Sequence, residues 1–248
     1  INSMFIPFAF QGPQGATPPA GIVTDQLRLY VNANDTNSYP GSGSTWFDLS
    51  GGNRDLTLDA TPTFNTGTPN FFDFTDGTDA ATYKPGGTLS SVTSQGDEYT
   101  VCMFFAYYSP TSNFRTLMRV ANGSSAADFW MVNTGTNNLG IYDTAFRSFG
   151  VNVSTDIPSY TTQFNYQVLT MEDGGAGDDT NFYLNAASGS VEGSTNTPLR
   201  NDGPAVFGNQ ETGGQPGAKI AAIIVYDKVL STTEIGQNYE ALKTEMGL

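Results

Sequence analysis

Residues 219–248 read KIAAIIVYDKVLSTTEIGQNYEALKTEMGL, and this closing stretch decides the fold class. From Ala218 to Tyr226 the residues are almost wholly apolar and rich in Ile and Val, a composition typical of a buried strand. Asp227 and Lys228 then interrupt the apolar run. The pattern predicts a strand that ends in a tight turn.

The rest of this stretch predicts a helix. Ser231 is followed three residues later by Glu234, the spacing of a capping box, in which a hydroxyl and a carboxylate satisfy amides that the first helical turn leaves unpaired. Apolar residues then recur at helical spacing, so we expect one face of the helix to lie on a sheet. These residues are Ile235, Tyr239 and Leu242.

The remainder of the chain predicts strands. The 28 Gly and 13 Pro in 248 residues, with many Asn, Thr and Ser, are typical of short strands joined by polar turns. Residues 26–33 alternate as a half-buried strand does. Residues 98–110 are apolar on both faces, which indicates a central strand, and residues 163–173 and 180–188 read as a hairpin. We predict an all-β fold: a two-sheet antiparallel jelly-roll sandwich with one short C-terminal helix.

Charge and hydropathy exclude several classes of function. The chain has 10 basic and 24 acidic residues, a formal net charge of -14, and such a surface repels nucleic-acid phosphates. No apolar run approaches the roughly 20 residues that cross a membrane. We therefore expect no nucleic-acid partner and no membrane insertion. The single cysteine, Cys102, lies in an apolar strand and is interpreted as a small buried hydrophobe.

The first residues differ from the rest. Residues 1–24 begin with large apolar side chains and continue into a Pro/Gly/Gln-rich stretch. We interpret them as an extended arm and linker, and residues 25–248 as the folded domain. The arm docks either on its own domain or on a neighbouring subunit of an assembly. Its candidate docking residues are Met4, Phe5, Ile6, Phe8 and Phe10.

Two motifs carry a resemblance to a known family. Residues 30–51, YVNANDTNSYPGSGSTWFDLSG, and residues 225–243, VYDKVLSTTEIGQNYEALK, resemble the concanavalin A-like lectin/glucanase superfamily, and more narrowly the laminin-G-like domains of bacteriophage virion proteins. In the first motif, Trp46 and Phe47 are candidates to anchor the loop on the core. Asp48 is a candidate to cap the turn at Ser50. The fold that the resemblance implies hosts many activities.

The glucanases of this superfamily use an E-x-D-x-x-E strand, because a retaining mechanism needs paired carboxylates. None of the seven glutamates begins that pattern, and the chain has no histidine for a Ser-His-Asp triad. We expect no catalytic residues and no enzymatic activity.

Binding sites are the alternative to catalysis. The acidic loop DFTDGTD supplies Asp73, Asp76 and Asp79 as candidate calcium ligands, since calcium prefers carboxylate and carbonyl oxygens. The resemblance also implies calcium, and solvated turns are the competing interpretation. An exposed aromatic ring that stacks on a sugar is the expected feature of a carbohydrate site. The candidates for that role are Tyr39, Tyr142 and Tyr160.

Two functions follow from these observations. The resemblance and the arm favour a non-enzymatic structural virion protein, either a capsid decoration or a tail or fibre module of a phage. Its partners would be other virion proteins and copies of itself, and its location the surface of the particle. The alternative is a carbohydrate-binding adhesin or receptor-binding lectin module that contacts host-surface glycans, with or without calcium.

Overall fold

The computed structural model describes residues 17–59, 62–74, 80–83, 98–107, 114–122, 126–133, 135–157, 159–172, 180–185, 193–195, 205–209, 215 and 217–248. The strands in chain order are β1 (Leu27–Asn32), β2 (Thr45–Trp46), β3 (Leu56–Asp59), β4 (Thr63–Asn65), β5 (Phe71–Asp73), β6 (Ala80–Tyr83), β7 (Tyr99–Tyr107), β8 (Arg115–Asn122), β9 (Ala126–Asn133), β10 (Asn138–Tyr142), β11 (Phe146–Asn152), β12 (Asn165–Met171), β13 (Thr180–Leu184), β14 (Gly193–Thr195), β15 (Ala205–Phe207) and β16 (Ala218–Tyr226). The helix α1 spans Thr232–Leu242.

The strands form two antiparallel sheets. Sheet A has the order β14-β13-β12-β7-β16-β5-β4, with β1 also paired to β16, and sheet B has the order β11-β10-β9-β8-β15-β6-β3-β2. This arrangement confirms the predicted all-β sandwich with a short C-terminal helix. The predicted hairpin is confirmed by the antiparallel pairing of β12 with β13.

Strand β7 shows why the molecule has two apolar cores. All nine of its residues are buried, and its side chains alternate between the two faces of sheet A. Val101, Met103 and Phe105 point into the main core between the sheets. Cys102 and Phe104 point into a second core on the outer face of sheet A. The prediction of a central strand covered on both sides is therefore confirmed.

The second core corrects the interpretation of β1. Leu29 and Val31 enter the main core as the alternation predicts, but Tyr30 on the opposite face is fully buried. The strand is thus buried on both faces rather than half-buried. The reason is that α1 and the segment before β1 cover the outer face of sheet A.

Helix α1 begins and packs as its sequence predicts. Ser231 is the N-cap, and the capping box with Glu234 is complete. Ile235 and Leu242 are buried in the second core, and Tyr239 packs against it. Among the described residues, no helix combines the length and apolar character that a bilayer-spanning helix requires.

Residues 19–24 are held against α1 by a group of contacts that we call the N-terminal clasp. Ile22 and Val23 are buried in the second core. The Val23 amide donates to Asn238 Oδ1 at 2.9 Å, Asn238 Nδ2 donates to the Tyr226 hydroxyl at 2.9 Å, and that hydroxyl donates to the Val23 carbonyl at 3.0 Å. Gln237 Nε2 donates to the Gly21 carbonyl at 2.8 Å. Ile22 and Val23, which lie within the predicted linker, are therefore packed against the domain.

Candidate functional site

A surface cleft of about 380 Å³ lies beside β2, one of the two edge strands of sheet B. Its volume falls within the range of about 300–1,000 Å³ that is usual for small-ligand sites. We call it the rim cleft. Its described lining residues are Pro40, Ser42, Gly43, Ser44, Thr45 and Phe47.

Hydrogen bonds join the two ends of the loop that carries the rim cleft. The Phe47 amide donates to the Ser38 carbonyl at 2.8 Å, and the Ser38 hydroxyl donates to the Phe47 carbonyl at 2.7 Å. Gly41 and Gly43 have φ angles of 93° and 108°, a region that side-chain-bearing residues rarely adopt. These contacts and backbone angles hold the cleft in one shape before any ligand arrives.

Asp48 fixes the end of this loop. Its Oδ1 accepts from the amides of Tyr30 and Ser50 at 3.0 and 2.9 Å. Its Oδ2 accepts from the Ser50 hydroxyl at 2.7 Å and from the Arg54 amide at 3.0 Å. The predicted capping role of Asp48 is confirmed. Because both carboxylate oxygens are occupied, this residue serves the fold rather than a ligand.

The side chains of residues 45–47 alternate between the core and the rim cleft. Trp46 is fully buried in the main core, which confirms its predicted anchoring role. Thr45 and Phe47, its neighbours, are half-buried and line the cleft. Phe47 was predicted to be a second anchor. The period-two alternation of a strand predicts that Phe47 faces away from Trp46, and Phe47 does line the cleft.

Tyr39 supports the cleft from inside. Its ring lies 4.7 Å from that of Phe72 and 4.8 Å from that of Phe64, and only 6% of the residue is exposed. Its hydroxyl donates to the Gly43 carbonyl at 3.1 Å, and burial raises the pKa of this hydroxyl above its usual value. Tyr39 therefore holds a cleft residue in place and does not present an exposed ring for sugar stacking.

The two other predicted sugar-stacking residues lie elsewhere. Tyr142 ends β10, near the opposite edge of sheet B from β2, and its ring is 6.4 Å from that of Phe114. Tyr160 is half-buried against the main core, 6.4 Å from the Tyr107 ring. The structure thus does not bring the three tyrosines together, and a sugar-binding role for Tyr142 or Tyr160 stays a prediction.

The polar groups of the rim cleft are available to a ligand. Within the described part of the chain, the hydroxyls of Ser42, Ser44 and Thr45 make no hydrogen bond to protein. Each hydroxyl can both donate and accept. Pro40 and Phe47 add apolar surface beside them. Hydroxyl groups next to apolar patches complement a sugar ring, which has hydroxyls on its edges and an apolar C–H face.

The other predicted sites are only partly described. Asp73 ends β5, and its Oδ1 is buried without a hydrogen-bond partner, which is compatible with a cation ligand. Asp76 and Asp79 lie outside the described residues, so the calcium site stays a prediction. No cluster of three acidic, histidine or cysteine side chains occurs where the structure describes the chain. The arm residues Met4, Phe5, Ile6, Phe8 and Phe10 also lie outside it.

Cys102 is placed as its sequence context predicts. The thiol is fully buried in the second core, and burial raises its pKa to about 12. A cysteine nucleophile needs its thiolate form, which this environment disfavours. Cys102 therefore acts as a packing residue.

Comparison with solved structures shows where this architecture recurs. Trypanosoma rangeli sialidase in complex with 2,3-difluoro-KDN has a TM-score of 0.61 and 13% identity, over 89% of this chain and 33% of the sialidase. The receptor binding domain of botulinum neurotoxin D has a TM-score of 0.62 and 16% identity, over 88% and 53%. The serotype D ligand binding domain in complex with N-acetylneuraminic acid has a TM-score of 0.57 and 15% identity, over 88% and 51%.

These similarities establish the fold alone. This chain spans about a third of the sialidase and about half of the toxin domains. No curated protein matches the sequence significantly.

The family, in contrast, is defined by sequence. Residues 76–236, well over half of the chain, match a laminin-G-like model. The match includes the strand β16 and the capping box of α1, and it begins after the rim cleft. The chain belongs to the concanavalin A-like lectin/glucanases superfamily.

Proposed function

We propose that this protein is a non-enzymatic carbohydrate-binding module whose ligand occupies the rim cleft. The observation that carries the proposal is the cleft itself, in which three hydroxyls that bond to none of the described residues lie beside Pro40 and Phe47. The superfamily and the sugar ligands of structurally similar proteins support it. The ligand class is a saccharide exposed on a cell surface.

The loop geometry supports binding rather than catalysis. The carboxylate nearest in sequence to the cleft, Asp48, accepts four hydrogen bonds from the loop and its neighbours, so its role is to hold the loop. The cleft offers hydroxyls and apolar surface, which recognise a sugar without cleaving it.

A glycan array tests this proposal. We expect saturable binding by the wild-type protein and its loss in Phe47→Ser, which removes apolar surface from the cleft. Tyr142→Ser tests the competing position, because it also removes a half-buried ring but near the other edge of sheet B. Binding that survives Phe47→Ser and is lost in Tyr142→Ser would refute the assignment to the rim cleft. Repeating the array with a chelator tests the predicted calcium dependence.

A second proposed function is structural: the module belongs to the surface of a phage particle as a capsid decoration or a tail or fibre component. The apolar run from Met4 to Phe10 supports it, because five large apolar side chains in a short stretch suit a contact with a neighbouring protein or another copy. Deletion of residues 1–18, which leaves the clasp intact, is expected to abolish incorporation into particles. Normal occupancy of the truncated protein would refute this role. The two functions are compatible, since a virion module can also bind host glycans.

A further inference from the structure

The chemistry of the rim cleft also specifies the kind of saccharide. Its described lining consists of three hydroxyl side chains, two apolar side chains and a glycine. A hydroxyl pairs well with the hydroxyls of a sugar, but it gives a carboxylate no compensating positive charge. Arg or Lys would supply a carboxylate with that charge through charge-assisted hydrogen bonds, and neither residue type belongs to the described lining.

The nearest basic residues in the sequence are engaged away from the cleft. Arg54 Nη1 donates to the Arg28 carbonyl at 3.1 Å, and the Arg28 guanidinium lies 4.0 Å from the Asp227 carboxylate. Both residues are on the Asp48 side of the loop. They are therefore occupied in the fold and do not belong to the described lining of the cleft.

The charge of the whole chain also disfavours the binding of acidic sugars. With a formal net charge of -14, the surface repels anionic ligands as they approach. This repulsion acts together with the lack of a positive charge in the described lining of the cleft. Salt weakens the repulsion because it shortens the Debye length.

We propose that the rim cleft selects neutral saccharides and discriminates against sialylated or sulfated ones, an inference that rests on the proposed sugar-binding function. This proposed ligand class differs from the anionic N-acetylneuraminic acid with which the structurally similar toxin domain was solved. Selectivity here comes from two sources: hydroxyls that pair with neutral sugars and a negative surface that repels acidic ones.

The test uses matched pairs of glycans. Each neutral oligosaccharide on an array is paired with its sialylated derivative, for example lactose with sialyllactose, and the pairs that bind are titrated by calorimetry. We expect the neutral member to bind about tenfold or more tightly than its acidic partner at low salt, with a smaller ratio in 1 M salt. Equal affinities, or tighter binding of the acidic member, would overturn the selectivity while leaving the sugar-binding function intact. Binding of neither member of any pair would refute the sugar-binding function itself.

A charge variant separates local from global repulsion. Ser44→Lys places a cation in the cleft, and we expect it to reduce the neutral-to-acidic affinity ratio severalfold. Ser194→Lys makes the same change in net charge on β14, at the far edge of sheet A, and should leave the ratio near its wild-type value. An equal effect of both variants would show that net charge alone acts, and would overturn the assignment of selectivity to the cleft.

Discussion

The N-terminal clasp and the rim cleft are both built from polar side chains, but they use these groups in opposite ways. In the clasp, Asn238 both donates and accepts hydrogen bonds, and the Tyr226 hydroxyl does the same. In the rim cleft, the hydroxyls of Ser42 and Ser44 have no protein partner in the described part of the chain. Polar groups that are paired internally stabilise the fold, whereas those left facing solvent are available to a ligand.

The difference follows from burial. An unpaired polar group in the second core would cost about 1–3 kcal/mol, so the clasp residues must pair with one another. The exposed hydroxyls of the cleft are paired with water instead, and a sugar can replace that water at little cost. The comparison predicts that substitutions in the clasp reduce stability and leave binding unchanged, and that those in the cleft do the opposite.

The largest expected effect comes from removing the clasp segment. A chain without residues 1–24 should be less stable than one without residues 1–18 by at least about 3 kcal/mol, because Ile22 and Val23 lose their buried positions, each worth about 1.5–3 kcal/mol. Urea unfolding followed by fluorescence measures the difference. Equal midpoints for the two truncated chains would show that residues 19–24 contribute nothing to the fold.

Asn238→Ala should have the next largest effect, a loss of about 2–3 kcal/mol in the free energy of unfolding. It leaves the Val23 amide without its acceptor and removes a donor to the Tyr226 hydroxyl in a buried site. Gln237→Ala is the control, since it removes one exposed hydrogen bond from the same helix, and it should cost less than about 1 kcal/mol. Similar losses for both variants would contradict the clasp as described.

Asp48→Asn should cost about 1–2 kcal/mol and also weaken binding. The amide group replaces an oxygen that accepts hydrogen bonds, so the end of the cleft loop loses part of its support. Thermal unfolding and a glycan titration measure the two effects. A stable variant with unchanged affinity would show that Asp48 does not fix the loop.

A smaller loss of stability is expected when the pH is lowered. The hydrogen bond from Lys228 holds the pKa of the Glu234 carboxyl below its usual value of 4.5, and the Ser231 contacts act in the same direction. A depressed carboxyl pKa stabilises the fold above about pH 4.5, and this contribution is lost as the pH falls through the folded-state pKa. Between pH 6 and pH 3, Glu234→Gln should therefore lose less stability than the wild type. Parallel curves for the two proteins would contradict this linkage.

The smallest change in stability is expected in the rim cleft. Ser44→Ala removes a hydroxyl that makes no hydrogen bond within the described ranges of the chain, so the free energy of unfolding should change by less than about 0.5 kcal/mol. Glycan affinity should nevertheless fall severalfold, because one ligand hydrogen bond is lost. Calorimetry of binding and of unfolding on the same samples measures both. A destabilised variant with normal affinity would contradict the account, because Ser44 would then stabilise the fold and not bind the ligand.

The features that the sequence predicts well are local. Three examples are the capping box of Ser231 and Glu234, the apolar β16 and the turn at Asp48. Each depends on neighbours within a few residues, so the sequence alone predicts it. The clasp joins Val23 to Asn238 across 215 positions, and no local pattern reports such a contact. The prediction of an exposed Tyr39 fails because its contacts are also distant in the sequence. A tyrosine in a glycine-rich loop gives no sign that Phe64 and Phe72 will enclose its ring.

An NMR titration of the isotopically labelled protein with the neutral glycan that binds best on the array tests the central claim most directly. We predict that the amide signals of Gly43, Ser44, Thr45 and Phe47 shift with a single saturable affinity, while the Asn238 side-chain signals of the clasp stay in place. Shifts centred on Tyr142 or Tyr160, with the rim cleft unchanged, would contradict the account.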